Sequence, residues 1–425
     1  MKFNKTILPN GLRVITSPMT DNPTVTVLVL VEAGSKYETK EINGLSHFLE
    51  HMCFKGTKKR PTAMTIAHEL DSIGAQYNAF TSNEYTGYYA KAHARHAPLI
   101  LDVVSDIYLN SSLPEAEMEK EKGVIVEEIN MYNDLPQRKV QDVFMKLLYG
   151  DQPAGWDVAG TKENVAKMKR SDFIDYRKKF YTAPETLVVV SGSFNESEII
   201  DSIKKLFSGT PETKGAGKLK VEESQTAPSI LIEHKKTDQT HFILGVRTFD
   251  LYDKKNSALK VLAGVLGGGM SSRLFQTMRE RLGICYYVGA SPDSFTDHGY
   301  FAVSAGVRND RLDEAVKEVI EELKILKEKP VPEKELSKVK EYLIGNMYLG
   351  LESSDSIADF FGFQEIVRKP IRTPDQIVAE INKVTAIDIM NLANEIFVDK
   401  GLNLSLIGPR EDSKELKSLL TFESR

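Results

Sequence analysis

His47 and His51 stand four residues apart, and Glu50 lies between them. No other cluster in the chain combines residue types and spacing in a way that reads as chemistry rather than packing. On a helix, the three side chains fall within about a third of a turn of one another. Leu45, Phe48, Leu49 and Met52 take the opposite side, so residues 44–55 read as an amphipathic helix with a core face and a reactive face. Two imidazoles at i and i+4 can share one Zn²⁺ ion, and a carboxylate beside them can take a proton from a water activated by the metal. The order is H-x-x-E-H, the reverse of the commoner H-E-x-x-H. The plain alternative is a solvated helix face that carries two histidines by accident. A third protein ligand would weigh against that alternative, because catalytic zinc usually has three.

A second helix, residues 115–132 behind Pro114, offers that ligand. Met118, Ile125 and Ile129 mark its buried stripe. Glu121 and Glu128 border the stripe, whereas Glu127 points nearly the opposite way. A carboxylate turned toward a core is costly unless it is paired or bound to a metal. Helical phase therefore selects Glu128 or Glu121 over Glu127, and it leaves open the simpler reading that both reach water from the edge of the stripe.

These elements sit in a chain of 425 residues, too long for one ordinary core. The net charge of −5 gives no reason to expect nucleic acid or an anionic membrane as partner. Two cysteines, Cys53 and Cys285, fall in different halves and point to a reducing compartment rather than a disulfide framework. No apolar run approaches the roughly 20 residues needed to span a bilayer. The chain reads as soluble and cytoplasmic, although a mature organellar protein would read the same way.

Residues 6–17 predict a hairpin turning at Asn10-Gly11, and residues 24–32, rich in β-branched side chains, a central strand. Residues 62–73 and 96–108 predict helices, with a pair of strands between them over residues 75–90. Residues 172–181 predict a helix and 186–193 a buried strand. Residues 208–229, rich in Gly, Pro, Ser and charge, read as a linker. The pattern then repeats: strands over 230–247, helices over 257–266, 312–327 and 373–397, one opened by Pro332, and a closing strand over 402–407. Two copies of one α+β unit of roughly 200 residues fit this order. The expected division is 1–207, a linker over 208–229, and 230–425. Aligning Pro332 on Pro114 puts Asn346 where Glu128 stands, and the second copy has no counterpart of His47 or His51, so only the first copy can bind the metal. Residues 271–288, SSRLFQTMRERLGICYYV, crowd arginines and tyrosines after three glycines. An ordinary helix followed by a strand accounts for them, and no G-K-[ST] follows to suggest a phosphate loop.

Taken together, GSKYE (34–38), GLSHFLEHMCFKGT (44–57), NAFTSNEYTGYY (78–89), EKGVIVEEI (121–129) and the 271–288 stretch resemble the pitrilysin/insulinase family of zinc metallopeptidases. The similarity is strongest to its shorter branch, which includes the mitochondrial processing peptidase subunits and their bacterial relatives. The resemblance implies one Zn²⁺ per chain, with Glu128 as the third ligand and Glu121 supporting the ligand shell by hydrogen bonding. It implies that Arg279 and Tyr286 contact substrate near the scissile carbonyl, and that Asn78, Ala79, Phe80 and Thr81 form the edge strand to which a peptide adds. It further implies two related α/β-sandwich-like domains making half of a clamshell, completed as a homodimer or with an inactive partner. A non-catalytic subunit is the rival reading, and it would require a broken zinc motif. A metal-dependent hydrolase of non-peptide substrates is a further one.

Overall fold

The computed structural model describes residues 2–423 and shows a mixed α+β chain that divides into two units, each built around one sheet. The first sheet comprises β1 (Asn4–Ile7), β2 (Arg13–Pro18), β3 (Thr24–Val31), β4 (Gln76–Thr81), β5 (Thr86–His93) and β6 (Thr186–Gly192), in the order β1-β2-β6-β3-β5-β4. Only its β2–β6 pair is parallel. The expected hairpin and central strand are both present. β3 is buried along its length because alternate residues serve different cores. Val25, Val27, Val29 and Val31 enter one cluster with Leu45, Phe48, Leu49 and Met52 of α1 (Leu45–Cys53). That cluster also takes in α2 (Ala63–Asp71), α3 (Ala97–Asn110) and α4 (Glu115–Asn133).

Leu28 and Leu30 face the other way, against the helix Ser354–Ile366. Gly362 makes that contact possible: a Cβ there would stand 3.0 Å from Leu30 and 3.3 Å from Val189.

The second sheet runs β7-β11-β8-β10-β9, from β7 (Ser229–His234), β8 (Gln239–Thr248), β9 (Cys285–Ser294), β10 (Gly299–Arg308) and β11 (Asn403–Gly408). Strand for strand it repeats β2-β6-β3-β5-β4, including the single parallel pair, β7 with β11. One face holds the helices Asn256–Gly267, Leu312–Glu328 and Ala386–Ile396. The other face packs Ile243, Ala302 and Ile407 against Val140, Val143 and Phe144 of α5 (Pro136–Tyr149).

The units thus interleave in sequence. α5 belongs with the second sheet and Ser354–Ile366 with the first, whereas a cut through residues 208–229 would assign them the other way round. No helix or strand occurs over residues 207–228. The stretch expected as one helix over 373–397 is two, Pro374–Lys383 and Ala386–Ile396. Thr385 starts the second with a reciprocal cap: its Oγ1 accepts from Asp388 N at 3.1 Å, and its N–H donates to Asp388 Oδ2 at 2.8 Å.

Phe48 carries much of the packing of α1. It is fully buried and meets Phe173 edge-on, with centroids 4.9 Å apart. Phe48→Ala should lower the stability of the first unit by about 3–5 kcal/mol, read as a shift in the urea midpoint.

Candidate metal centre

α1 turns Leu45, Phe48, Leu49 and Met52 into the core, each with no exposed area, and leaves His47, Glu50 and His51 on its open side. α4 lies across from it, held by buried Met118, Ile125 and Ile129. This packing brings Glu128 Oε2 to 3.6 Å from His47 Nε2 and 3.5 Å from His51 Nε2. One donor atom from each of the three residues lies within 4.8 Å of the others, and no other such group occurs among the described residues. Ligand atoms around a tetrahedral zinc, each about 2.0–2.1 Å from the ion, stand about 3.3–3.4 Å apart. The donor set of two imidazoles and a carboxylate and its spacing therefore fit such an ion. Glu127 is exposed, as phase requires.

Glu121 sits one heptad before Glu128 and is only 5 % exposed. Its Oε1 lies 2.9 Å from His51 Nδ1 and its Oε2 lies 2.5 Å from Lys55 Nζ. Burial would raise its pKa, but the bonds from His51 and Lys55 outweigh burial and hold the carboxyl below its usual range. Burial likewise works to lower the His51 pKa, yet the bond to Glu121 and the surrounding carboxylates raise it. A protonated Nδ1 held by Glu121 leaves Nε2 as the lone-pair nitrogen turned toward Glu128. Glu121→Gln should weaken metal binding about 10–100-fold, as measured by competition with a chromogenic chelator.

Glu50 is set apart from this bond network. Burial pushes its pKa up, and it accepts a 2.6 Å hydrogen bond from Thr81 Oγ1. Thr81 is the last residue of β4, so the outermost strand of the sheet is tied by its end to the carboxylate of α1. This link was beyond sequence reasoning, which could assign residues 78–81 only a backbone role. Among the described residues β4 pairs with β5 alone, and its other edge carries no strand. Ala79 N–H donates to the Asn78 side chain at 2.9 Å, and the Phe80 ring lies over Gly87, where a Cβ would come within 2.3 Å of it.

In the second unit Arg279 and Tyr286 come together. Arg279 lies in the last turn of a stretch of π-helix, Phe275–Arg281, in place of the ordinary helix expected there, and donates to the Tyr286 carbonyl. Its guanidinium lies 5.3 Å from the Tyr286 ring, and that ring is 70 % exposed. Asn346, in the helix Glu333–Leu349, bonds only back to Tyr342 O at 2.7 Å among the contacts described. Of the other histidines, His298 is buried and stacked on Phe295, and His241 on Tyr287.

The family described as Insulinase (Peptidase family M16) matches residues 13–162, and the one described as Peptidase M16 inactive domain matches residues 167–343. His47, His51 and Glu128 all fall in the first match. An uncharacterized zinc protease, YmxG, of Bacillus subtilis is 38 % identical over 94 % of this chain and 97 % of its own. Another, from Streptomyces coelicolor, is 32 % identical over 96 % of this chain and 90 % of its own. The crystal structure of a protease from Helicobacter pylori superposes with a TM-score of 0.89 at 22 % identity, covering 96 % of this chain and 99 % of that one. A structure from Pseudomonas fluorescens, described as a peptidase M16 inactive domain, gives 0.88 at 17 % identity, over 97 % and 99 %. Two adjoining family matches, and relatives aligned over nearly their whole length, place this chain in the insulinase family, peptidase family M16.

Proposed function

We propose that this protein is a zinc-dependent endopeptidase that hydrolyses short or unfolded peptides bound as an added strand on β4. The observation that carries the reading is the convergence of His47, His51 and Glu128, from two helices, on one tetrahedral-sized space beside Glu50. The zinc proteases among its relatives support the choice of metal. Zinc bound to these three residues supplies a Lewis acid that acidifies water and polarises a peptide carbonyl. Glu50 takes the proton of the attacking water and hands it to the leaving amine nitrogen. Thr81 orients the Glu50 carboxylate, and Glu121 fixes the His51 ring so that Nε2 stays available. The unpaired edge of β4 accepts an extended chain through backbone hydrogen bonds, which excludes folded proteins as substrates. Arg279 and Tyr286, on the strength of the family resemblance, stabilise the oxyanion of the carbonyl under attack. The protein is expected to carry one zinc per chain, to be cytoplasmic, to act as a homodimer, and to need neither nucleic acid nor membrane.

The test is cleavage of a quenched unstructured peptide by the purified chain, before and after zinc is stripped with phenanthroline, and again after zinc is restored. Light scattering on the active fraction gives the oligomeric state. Undiminished cleavage by the stripped protein would refute the proposal, as would a protein that contains zinc yet cleaves no peptide.

A further inference from the structure

The GSKYE stretch, residues 34–38, has no part in the chemistry above, yet it buries Ser35, Lys36 and Glu38 almost completely. A buried charge destabilises a fold unless it is closely paired, so two of them within three residues call for a reason. Each binds a different element of the site. At one end the segment grips the turn between β4 and β5. Ser35 N donates to Ser82 O at 3.2 Å, Lys36 N to Asn83 O at 2.8 Å, and Lys36 Nζ to Glu84 Oε1 at 3.0 Å. Gly34 has to be glycine, because a Cβ there would lie 2.3 Å from Ser82 O.

At the other end Glu38 grips the start of α1. Its Oε1 accepts from Ser46 N at 2.6 Å, and its Oε2 accepts from Gly44 N at 2.8 Å and Asn43 Nδ2 at 3.1 Å. Gly44, at the N-cap of α1, has no side chain with which to satisfy the first amides of that helix. A carboxylate from eight residues upstream of Ser46 does so instead, at the end of the helix where the dipole favours negative charge.

We propose that residues 34–38 act as a spacer that sets the separation between the peptide-binding strand and the metal-binding helix. Glu38 is the positioning residue for His47, Glu50 and His51, and Lys36 is the positioning residue for the end of β4. The proposal rests on the metallopeptidase reading, and its two ends separate experimentally. The full-length protein, stripped of metal, is titrated with cobalt(II) and followed by its visible absorption, then assayed on a quenched unstructured peptide. Glu38→Gln replaces an acceptor oxygen with an NH₂ facing other donors. It should weaken cobalt binding about 10–100-fold, shift the visible band and lower kcat, with KM within about twofold of wild type.

Lys36→Met leaves Glu84 paired with Lys218 at 3.3 Å. It should leave the cobalt titration unchanged and raise KM about tenfold. Ile203→Ala, in the buried face of the helix Glu196–Leu206, serves as the control: it should lower Tm without altering the cobalt spectrum. If Glu38→Gln does not fold, Glu38→Asp, which withdraws the carboxylate by one methylene, is read the same way.

A wild-type protein that gives no cobalt spectrum overturns the metalloenzyme reading itself. A normal wild-type spectrum together with a Glu38 variant of unchanged affinity and kcat overturns the spacer alone, as does equal loss of cobalt affinity in Ile203→Ala.

Discussion

Glu50→Gln should reduce kcat/KM on a peptide substrate by at least about 10³-fold while metal content stays at the wild-type level. The substitution keeps the size of the side chain, and its amide oxygen can still accept the Thr81 hydroxyl now 2.6 Å from Glu50 Oε2. What it removes is the ability to take up a proton. Burial already raises the pKa of Glu50, which brings its basicity closer to that needed for a general base at neutral pH. Glu50 is not part of the three-residue donor cluster, so metal analysis should not distinguish the variant from wild type. Wild-type turnover by this variant would remove Glu50 from the mechanism.

Glu128→Gln should have the opposite signature, with loss of the metal followed by loss of activity. Among the described residues Glu128 Oε2 is the one anionic donor grouped with both imidazoles, at 3.5 and 3.6 Å. A neutral amide in its place leaves two imidazoles to hold the ion. Zinc affinity should drop by more than about 100-fold, beyond the range expected for a change outside the ligand set. Glu127→Gln, one residue earlier on the exposed side of α4, should do nothing to metal content. Elemental analysis after dialysis against a weak chelator reads both variants. Retention of a full equivalent of zinc by Glu128→Gln would leave the site without its third ligand.

Much of this site is legible in the sequence because α1 and α4 each display their function in one helical period. The apolar face of α1 fixes where His47, Glu50 and His51 point, and the Met118–Ile125–Ile129 stripe separates Glu127 from Glu121 and Glu128. Phase could not choose between those two, because it gives direction around a helix and not height along it. Tertiary packing sets the height: α4 lies so that Glu128 faces the Nε2 atoms and Glu121 lies at Nδ1 of His51. The Thr81–Glu50 bond joins residues 31 positions apart on different elements, and no local pattern foretells it. The helix Ser354–Ile366 leaves no clear sign in the sequence for a related reason. Ser354, Ile357, Ala358, Phe361, Gly362 and Glu365 are all buried, so the segment lacks the polar-and-apolar alternation that marks a surface helix. Nothing in the local sequence marks Lys36 and Glu38 for burial, because partners contributed by distant backbone amides and by Glu84 leave no trace in composition.

The exchange of backing helices between the two halves of the sequence bears on how the polypeptide can be dissected. Severed between Gly215 and Ala216, the amino-terminal fragment would lack the helix that covers Leu28, Leu30 and Val189, and the carboxy-terminal fragment would lack the one that covers Ile243, Ala302 and Ile407. Either piece made alone should expose a broad greasy sheet surface and aggregate. Co-expressed, the pieces should complement each other and purify as a soluble nicked heterodimer. The protein is therefore better suited to split-reporter engineering than to truncation into autonomous modules.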